Sequence, residues 1–166
     1  MGLACYPSLM ARLSARLSEN APGDYFVDDA CIDCETCRIL APHVFERSHG
    51  LGLSVVRHQP ASPAEALRAK MAIVSCPTSA IGTASKVDVN EGVLALPDPI
   101  THDVFYCGYA SEGSFGAASY LVRREGGNVL VDSPRRNAAS ARYVDFRSGG
   151  SSCGAHSVAD WVRSVR

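Results

Sequence analysis

Short apolar stretches between turn residues predict a chain of brief strands and helices. Tyr25-Phe-Val27 is apolar and prone to extended structure, and it predicts a short strand. Leu53-Ser-Val-Val-Arg57 is rich in β-branched residues and predicts a second strand after a glycine-containing turn. Between the two, residues 39–45 predict a short helix that Pro42 starts or bends.

A longer helix is predicted after residue 62, where three start signals agree. Ser62 can cap the helix, Pro63 suits its first turn, and Glu65 can complete a capping box. Three apolar residues follow at i, i+4 and i+7 and share one face of the helix: Leu67, Met71 and Val74. We expect that face to lie in the core.

The cysteines of the chain are spaced for a metal centre. Cys31, Cys34 and Cys37 follow one another at three-residue intervals, and Cys76 comes 39 residues later, directly before Pro77. A tight C-x2-C-x2-C loop can supply three thiolates to a cubane cluster while a remote Cys-Pro supplies the fourth. The predicted helix brings Cys76 to the site, and Pro77 ends that helix. The spacing therefore predicts one [4Fe-4S] cluster and a role in carrying electrons.

Other uses of cysteine fit the spacing less well. Structural zinc usually takes two separated ligand pairs, and a zinc site remains the main alternative. A disulfide framework would leave one of the seven cysteines unpaired, and a thioredoxin-type pair would not explain Cys37 or Cys76. A [3Fe-4S] form is expected only as a minor or degraded state. Three scattered cysteines share no motif and are interpreted as buried or half-buried thiols: Cys5, Cys107 and Cys153.

Composition bears on the partners and the location of the protein and leaves the predicted cluster unchanged. The 166 residues are 46% apolar with a net charge of -1, which gives no reason to expect a nucleic-acid partner. No apolar run approaches the length of a membrane span. We expect a cytoplasmic protein. Residues 10–18 have the arginine and serine content of a transit peptide, which makes a plastid the alternative location.

Acidic residues are concentrated around the first two cysteines of the loop. They form a run without an intervening base: Asp24, Asp28, Asp29, Asp33 and Glu35. Such a run can steer a basic redox partner toward the cluster, or it can be a solvated loop. Six apolar residues nearby could shield the cluster from water: Ile32, Ile39, Leu40, Phe45, Ile73 and Ile81.

Residues 20–88 resemble the single-cluster bacterial-type ferredoxins. The resemblance lies in an aspartate-bounded strand before Cys31, the three-cysteine loop, the helix, and the closing Cys76-Pro-Thr-Ser-Ala-Ile. It implies an α+β fold with two strand pairs and two helices beside one cubane. It also implies that Cys31, Cys34, Cys37 and Cys76 are the cluster ligands, and that the protein is an electron carrier.

A second stretch resembles the opening hairpin of a metallo-β-lactamase-fold domain. It comprises residues 104–122 and 128–135, with Asp132 at the position where the strands end. The H-x-H-x-D-H motif of that fold is missing among the five histidines, His43, His49, His58, His102 and His156. About thirty residues follow Arg135, too few to complete such a domain. We therefore lean against an enzyme.

The predicted organisation has three parts. Residues 1–19 are an N-terminal extension, residues 20–88 a ferredoxin-type iron-sulfur domain, and residues 89–166 a C-terminal extension containing a β-hairpin. The first functional hypothesis is an electron carrier or redox relay. The alternative is the N-terminal part of a fusion enzyme, whose cluster serves a hydrolase-like or oxidoreductase domain missing from this chain.

Overall fold

The computed structural model describes residues 11–108, 118–125 and 127–132. It divides the chain into two compact units between Ala95 and Leu96. The first unit contains a 3-10 turn at Leu13–Ala15 followed by seven elements: β1 (Tyr25–Val27), α1 (Thr36–Leu40), β2 (Phe45–Arg47), β3 (Ser54–Val56), α2 (Pro63–Ser75), β4 (Ile81–Thr83) and α3 (Asn90–Leu94). No helix among the described residues is long and apolar enough to cross a membrane.

Two antiparallel strand pairs frame the first unit. β1 pairs with β4, so that Phe26 lies opposite Gly82, and β2 pairs with β3, so that Glu46 lies opposite Val55. The predicted strand at Tyr25–Val27 is confirmed, and the central residues of the predicted second strand form β3. Most of the largest buried side chains come from these strands and from α1 and α2, and Val44 directly precedes β2. They are Phe26, Phe45, Leu40, Met71, Val27, Val44 and Val56.

The prediction of a helix over residues 39–45 is wrong. The helix α1 begins at Thr36 and ends at Leu40, and Phe45 already belongs to β2. Ala41 leaves the helical region with φ -135° and ψ 65° because it precedes Pro42, whose ring disfavours a helical preceding residue. Pro42 therefore marks the end of the helix, and Cys37 lies within it.

The predicted start of α2 is confirmed. The Ser62 hydroxyl accepts a hydrogen bond from the backbone N–H of Glu65 at 3.2 Å, and Pro63 occupies the first turn. The Glu65 carboxylate reaches back one residue further than in a standard capping box and accepts from the N–H of Ala61 at 2.7 Å. The helix ends at Ser75, as the following Cys-Pro predicts.

The buried face of α2 differs from the predicted one. Met71 is buried, but Leu67 and Val74 are only half-buried. Small residues occupy the rest of the buried face: Ala69, Ala72 and Ser75. They allow neighbouring elements to approach closely, and at Gly92 of α3 a Cβ would lie 2.6 Å from the carbonyl carbon of Lys70. The predicted buried face is therefore confirmed at Met71 and wrong at Leu67 and Val74.

The second unit contains a four-stranded antiparallel sheet among its described residues. Its strands are β5 (Asp98–Pro99), β6 (Val104–Tyr106), β7 (Tyr120–Val122) and β8 (Val129–Val131), which neighbour one another in chain order. The rings of Tyr106 and Tyr120 pack against each other across β6 and β7 in a tilted arrangement, with 5.8 Å between their centroids.

Candidate metal centre

Four cysteine side chains line one pocket of the first unit. Cys31 and Cys34 lie in the loop after β1, Cys37 lies in the first turn of α1, and Cys76 directly follows α2. All four are free thiols. The chain thus brings together two groups of cysteine that are 39 residues apart in the sequence.

The loop that carries Cys31 and Cys34 has an unusual backbone conformation. Asp33 and Glu35, on either side of Cys34, have positive φ angles of 55° and 66°. Left-handed backbone is unfavourable for residues other than glycine, so other contacts must stabilise it. The Asp33 carboxylate accepts hydrogen bonds from Arg38 at 2.7 Å and Arg47 at 2.8 Å. These two guanidinium groups also hold the pKa of Asp33 below its usual range.

The fourth thiol is held by the chain that follows it. Pro77 is buried, Ser79 adopts a positive φ of 54°, and the backbone N–H of Ala80 then donates to Cys76 Sγ at 3.3 Å. The hydroxyl of Thr78 lies 3.7 Å from the same sulfur. Donors directed at a ligand sulfur are the usual means by which a protein tunes a metal–thiolate centre.

Burial disfavours the charged form of two of the thiols. Cys37 is 6% exposed. Its burial raises the pKa to about 12, and a hydrogen bond from Ser54 partly opposes that rise. Burial also raises the pKa of Cys76, and hydrogen bonds from Thr78 and Ala80 oppose it. Free of metal, both side chains are therefore neutral thiols, and binding as thiolates must release their protons.

Apolar and hydroxyl-bearing side chains form the remaining wall of the pocket. Of the six predicted shielding residues, only Ile32 and Ile81 line it, and Ile32 is itself 50% exposed. Ile39 is 68% exposed because the helix starts at Thr36 and turns this position outward, so that part of the prediction is wrong. The others predicted, Leu40, Phe45 and Ile73, are absent from the lining. The sequence did not reveal five further lining residues: Val27, Thr36, Ser54, Thr78 and Ala80.

The acidic run around the loop is largely paired. Arg12 contacts Asp28 and Asp29, while Arg38 contacts Asp33 and Glu35, and Arg47 adds a second partner for Asp33. Asp24 bonds to the backbone and hydroxyl of Ser85 at 2.7 Å each. Four of the five carboxylates thus share three guanidinium partners, so the excess of negative charge around the loop is smaller than the sequence run suggests.

The other cysteines play no part in this pocket as far as the structure describes them. Cys107 is buried in the second unit, as predicted for a scattered thiol. Cys5 and Cys153 lie outside the described residues. In the ranges 11–108, 118–125 and 127–132, no group of three or more His, Cys, Asp or Glu side chains converges on the site of a single metal ion. The four thiols therefore do not meet as ligands of one ion, but surround a pocket that they share with apolar and hydroxyl-bearing side chains.

Four thiols around one pocket, in a small unit of mixed α and β structure, are the set of donors that an iron-sulfur cluster requires. Residues 27–83, about a third of the chain, match the family described as the 4Fe-4S single cluster domain of Ferredoxin I. This range runs from the end of β1 to the end of β4. The match supports an iron-sulfur cluster and a capability for electron transfer.

No curated protein and no solved structure matches the chain. The metallo-β-lactamase resemblance of residues 104–135 has no support from these comparisons and stays a prediction. Residues 109–117 and 133–135 of that stretch lie outside the described residues.

Proposed function

We propose that the protein transfers electrons through a single [4Fe-4S] cluster held by Cys31, Cys34, Cys37 and Cys76. The observation that carries this proposal is the meeting of all four thiols around one pocket. A cubane offers four irons, each of which takes one thiolate, so the number of thiols equals the number of corners. When bound, the cluster supplies a one-electron redox centre, and the chain provides its ligands and surroundings.

The pocket walls suit such a centre. Val27, Ala80 and Ile81 are buried and line the pocket beside the sulfurs. They exclude water from that side, while N–H and hydroxyl groups approach individual sulfurs. Apolar walls together with donors to sulfur are the two features by which proteins set the potential of an iron-sulfur cluster.

The proposed exit for electrons is the face that carries Ile32. This residue lines the pocket and is 50% exposed, and the neighbouring Cys31 and Cys34 are less buried than Cys37. The carboxylate excess around the loop would attract a redox partner with a basic docking surface. The apolar side chain of Ile32 would then contact that partner at a point close to the pocket.

The alternative from the sequence is that the cluster serves a further enzymatic domain. The antiparallel pairing of β6 with β7 is compatible with an opening hairpin of the metallo-β-lactamase fold. Antiparallel pairs are common in many folds, however, so this feature carries little weight. The proposal of an electron carrier rests on four thiols around one pocket, which is a more specific feature.

The test is iron and sulfide analysis of anaerobically purified protein, combined with low-temperature EPR before and after reduction by dithionite. We expect about four irons per chain and a paramagnetic signal that appears on reduction. A chain that contains zinc and gives no signal would make this a structural metal site and overturn the proposal. A chain with about three irons would indicate that one of the four thiols is not a ligand.

A further inference from the structure

Ser54 places a buried hydroxyl in the cysteine pocket. It belongs to β3, is 1% exposed, and lines the pocket together with the four thiols. It lies 17 positions beyond Cys37 and outside both cysteine groups of the sequence. A hydroxyl buried this deeply needs hydrogen-bond partners, and the nature of those partners determines which way its proton points.

One partner of Ser54 is a cation. Arg38 Nη1 donates to Ser54 Oγ, and the same nitrogen donates to Asp33 Oδ1 at 2.7 Å. The Arg38 side chain is only 14% exposed, and Asp33 fixes its orientation. A guanidinium group can only donate hydrogen bonds, so Ser54 Oγ is the acceptor in this pair. The hydroxyl proton of Ser54 is therefore free to point elsewhere.

One neighbour of Ser54 in the pocket wall is Cys37. Both residues line the pocket, and the Ser54 hydroxyl opposes the rise in pKa that burial causes at the Cys37 thiol. Since Arg38 donates to the oxygen, the Ser54 O–H is available to donate to that sulfur. The chain of contacts runs from Asp33 through Arg38 and Ser54 to Cys37, and each donor in it polarises the next.

We propose that Ser54, oriented and polarised by Arg38, raises the reduction potential of the cluster by donating a hydrogen bond to the Cys37 sulfur. This inference rests on the proposed function. Reduction adds an electron, which increases the negative charge on the ligand sulfurs. A hydrogen bond to sulfur is therefore stronger in the reduced state and favours it. Ser54 is a positioning and tuning residue rather than a cluster ligand.

Two other hydroxyls approach ligand sulfurs without a cation behind them. Thr36 Oγ1 lies 3.6 Å from Cys34 Sγ, and Thr78 Oγ1 lies 3.7 Å from Cys76 Sγ. No guanidinium donor to either threonine hydroxyl is seen among the described residues. We expect their removal to change the potential less than removal of the Ser54 hydroxyl, because an oxygen that accepts from a cation is the stronger donor.

The experiment is an EPR-monitored redox titration of the full-length cluster-loaded protein and its Ser54→Ala variant. We expect the equilibrium constant for reduction to be about tenfold lower in the variant. For a one-electron couple this corresponds to a reduction potential about 59 mV lower. Iron content should be unchanged. Ser54→Thr restores the donor, so its potential should lie closer to that of the original protein. Arg38→Gln removes the cation and should also lower the reduction potential.

A matched control is available on α2. Ser75 is 0% exposed, precedes a proposed ligand, and its hydroxyl has no hydrogen-bond partner among the described residues. Ser75→Ala should leave the potential unchanged. An unaltered potential in a fully iron-loaded Ser54→Ala protein would overturn this inference and leave the proposed function intact. Absence of a cluster from the original protein would overturn both. Should Ser54→Ala fail to fold, an unaltered potential in Arg38→Gln overturns the inference.

Discussion

The side-chain oxygen of Asn20 accepts a hydrogen bond from the backbone N–H of Val56 at 2.9 Å, across 36 positions of the sequence. The same oxygen accepts from the N–H of Val27 at 3.0 Å, and the amide nitrogen donates to the carbonyls of Leu17 and Val27 at 2.8 Å each. Asn20 is 7% exposed and uses all four of its hydrogen-bonding positions. One amide thus joins β1 to β3, the two strands that contribute Val27 and Ser54 to the pocket.

Replacement of Asn20 by alanine should destabilise the first unit strongly. The buried backbone N–H groups of Val27 and Val56 would lose the Asn20 acceptor, whereas the carbonyls of Leu17 and Val27 would each keep one backbone donor. An unsatisfied buried group is costly. We expect the free energy of unfolding to fall by about 3 kcal/mol, measured by denaturant titration of the iron-loaded protein. Asn90→Ala at the exposed start of α3 is the control and should change stability by less than about 0.5 kcal/mol. Equal effects of the two variants would contradict the role given to Asn20.

Removal of one proposed ligand should weaken both the cluster and the fold. Cys34→Ser leaves three thiols around the pocket, and a small unit that gains folding energy from its metal loses stability with it. We expect fewer than four irons per chain, and an unfolding midpoint lower by about 10 °C, which corresponds to roughly 2 kcal/mol. Cys107→Ser is the control, because this buried thiol belongs to the second unit. Unchanged iron content in Cys34→Ser would remove that residue from the ligand set.

Close packing of α3 on α2 makes Gly92 sensitive to a single added methyl group. A Cβ there would lie 2.6 Å from the Lys70 carbonyl carbon and 2.8 Å from the Met71 nitrogen, both backbone atoms that cannot move aside alone. Alanine gains up to about 1 kcal/mol over glycine inside a helix, but the clash should outweigh it. We expect Gly92→Ala to lower the free energy of unfolding by about 1–2 kcal/mol. Gly50→Ala, which meets the tip of the flexible Glu19 side chain, should cost less. A stabilised Gly92→Ala protein would show that the two helices can separate without cost.

Local signals in the sequence were sufficient for several elements. The apolar run of β1 and the Ser-Pro-x-Glu start of α2 are both present where these signals predict them. Pro42 was ambiguous, since proline can begin a helix or follow its end, and only the backbone of Ala41 shows which applies. The small residues on the buried face of α2 give no hydrophobic signal at all.

Contacts between distant residues could not be predicted from one sequence. Arg12 and Arg47 are far from the acidic run in the chain, yet both pair with its carboxylates. Ser54 was overlooked because a single serine in a β-branched strand is ordinarily a surface residue. Its burial depends on the pairing of β2 with β3 and on Arg38, which faces it from α1.

The proposed docking face predicts that electron transfer depends on salt. Asp29 is 60% exposed, and neutralising it in Asp29→Asn makes the loop less acidic. We expect the second-order rate of electron transfer to a basic redox protein to fall severalfold at low salt, because steering between opposite charges is lost. Near 0.15 M salt the difference should shrink, because the Debye length is then about 8 Å. Stopped-flow measurement at several ionic strengths tests this.

Two controls separate docking from changes in the cluster itself. Glu125→Gln removes an exposed carboxylate in the second unit and should leave the rate unaltered. Ile32→Ser should slow transfer at every salt concentration, because it removes an apolar contact rather than a charge. The reduction potential of each variant is measured alongside its rate, so that a change in driving force is not mistaken for a change in docking. A rate that is independent of salt in the original protein would exclude the charged loop as the steering surface.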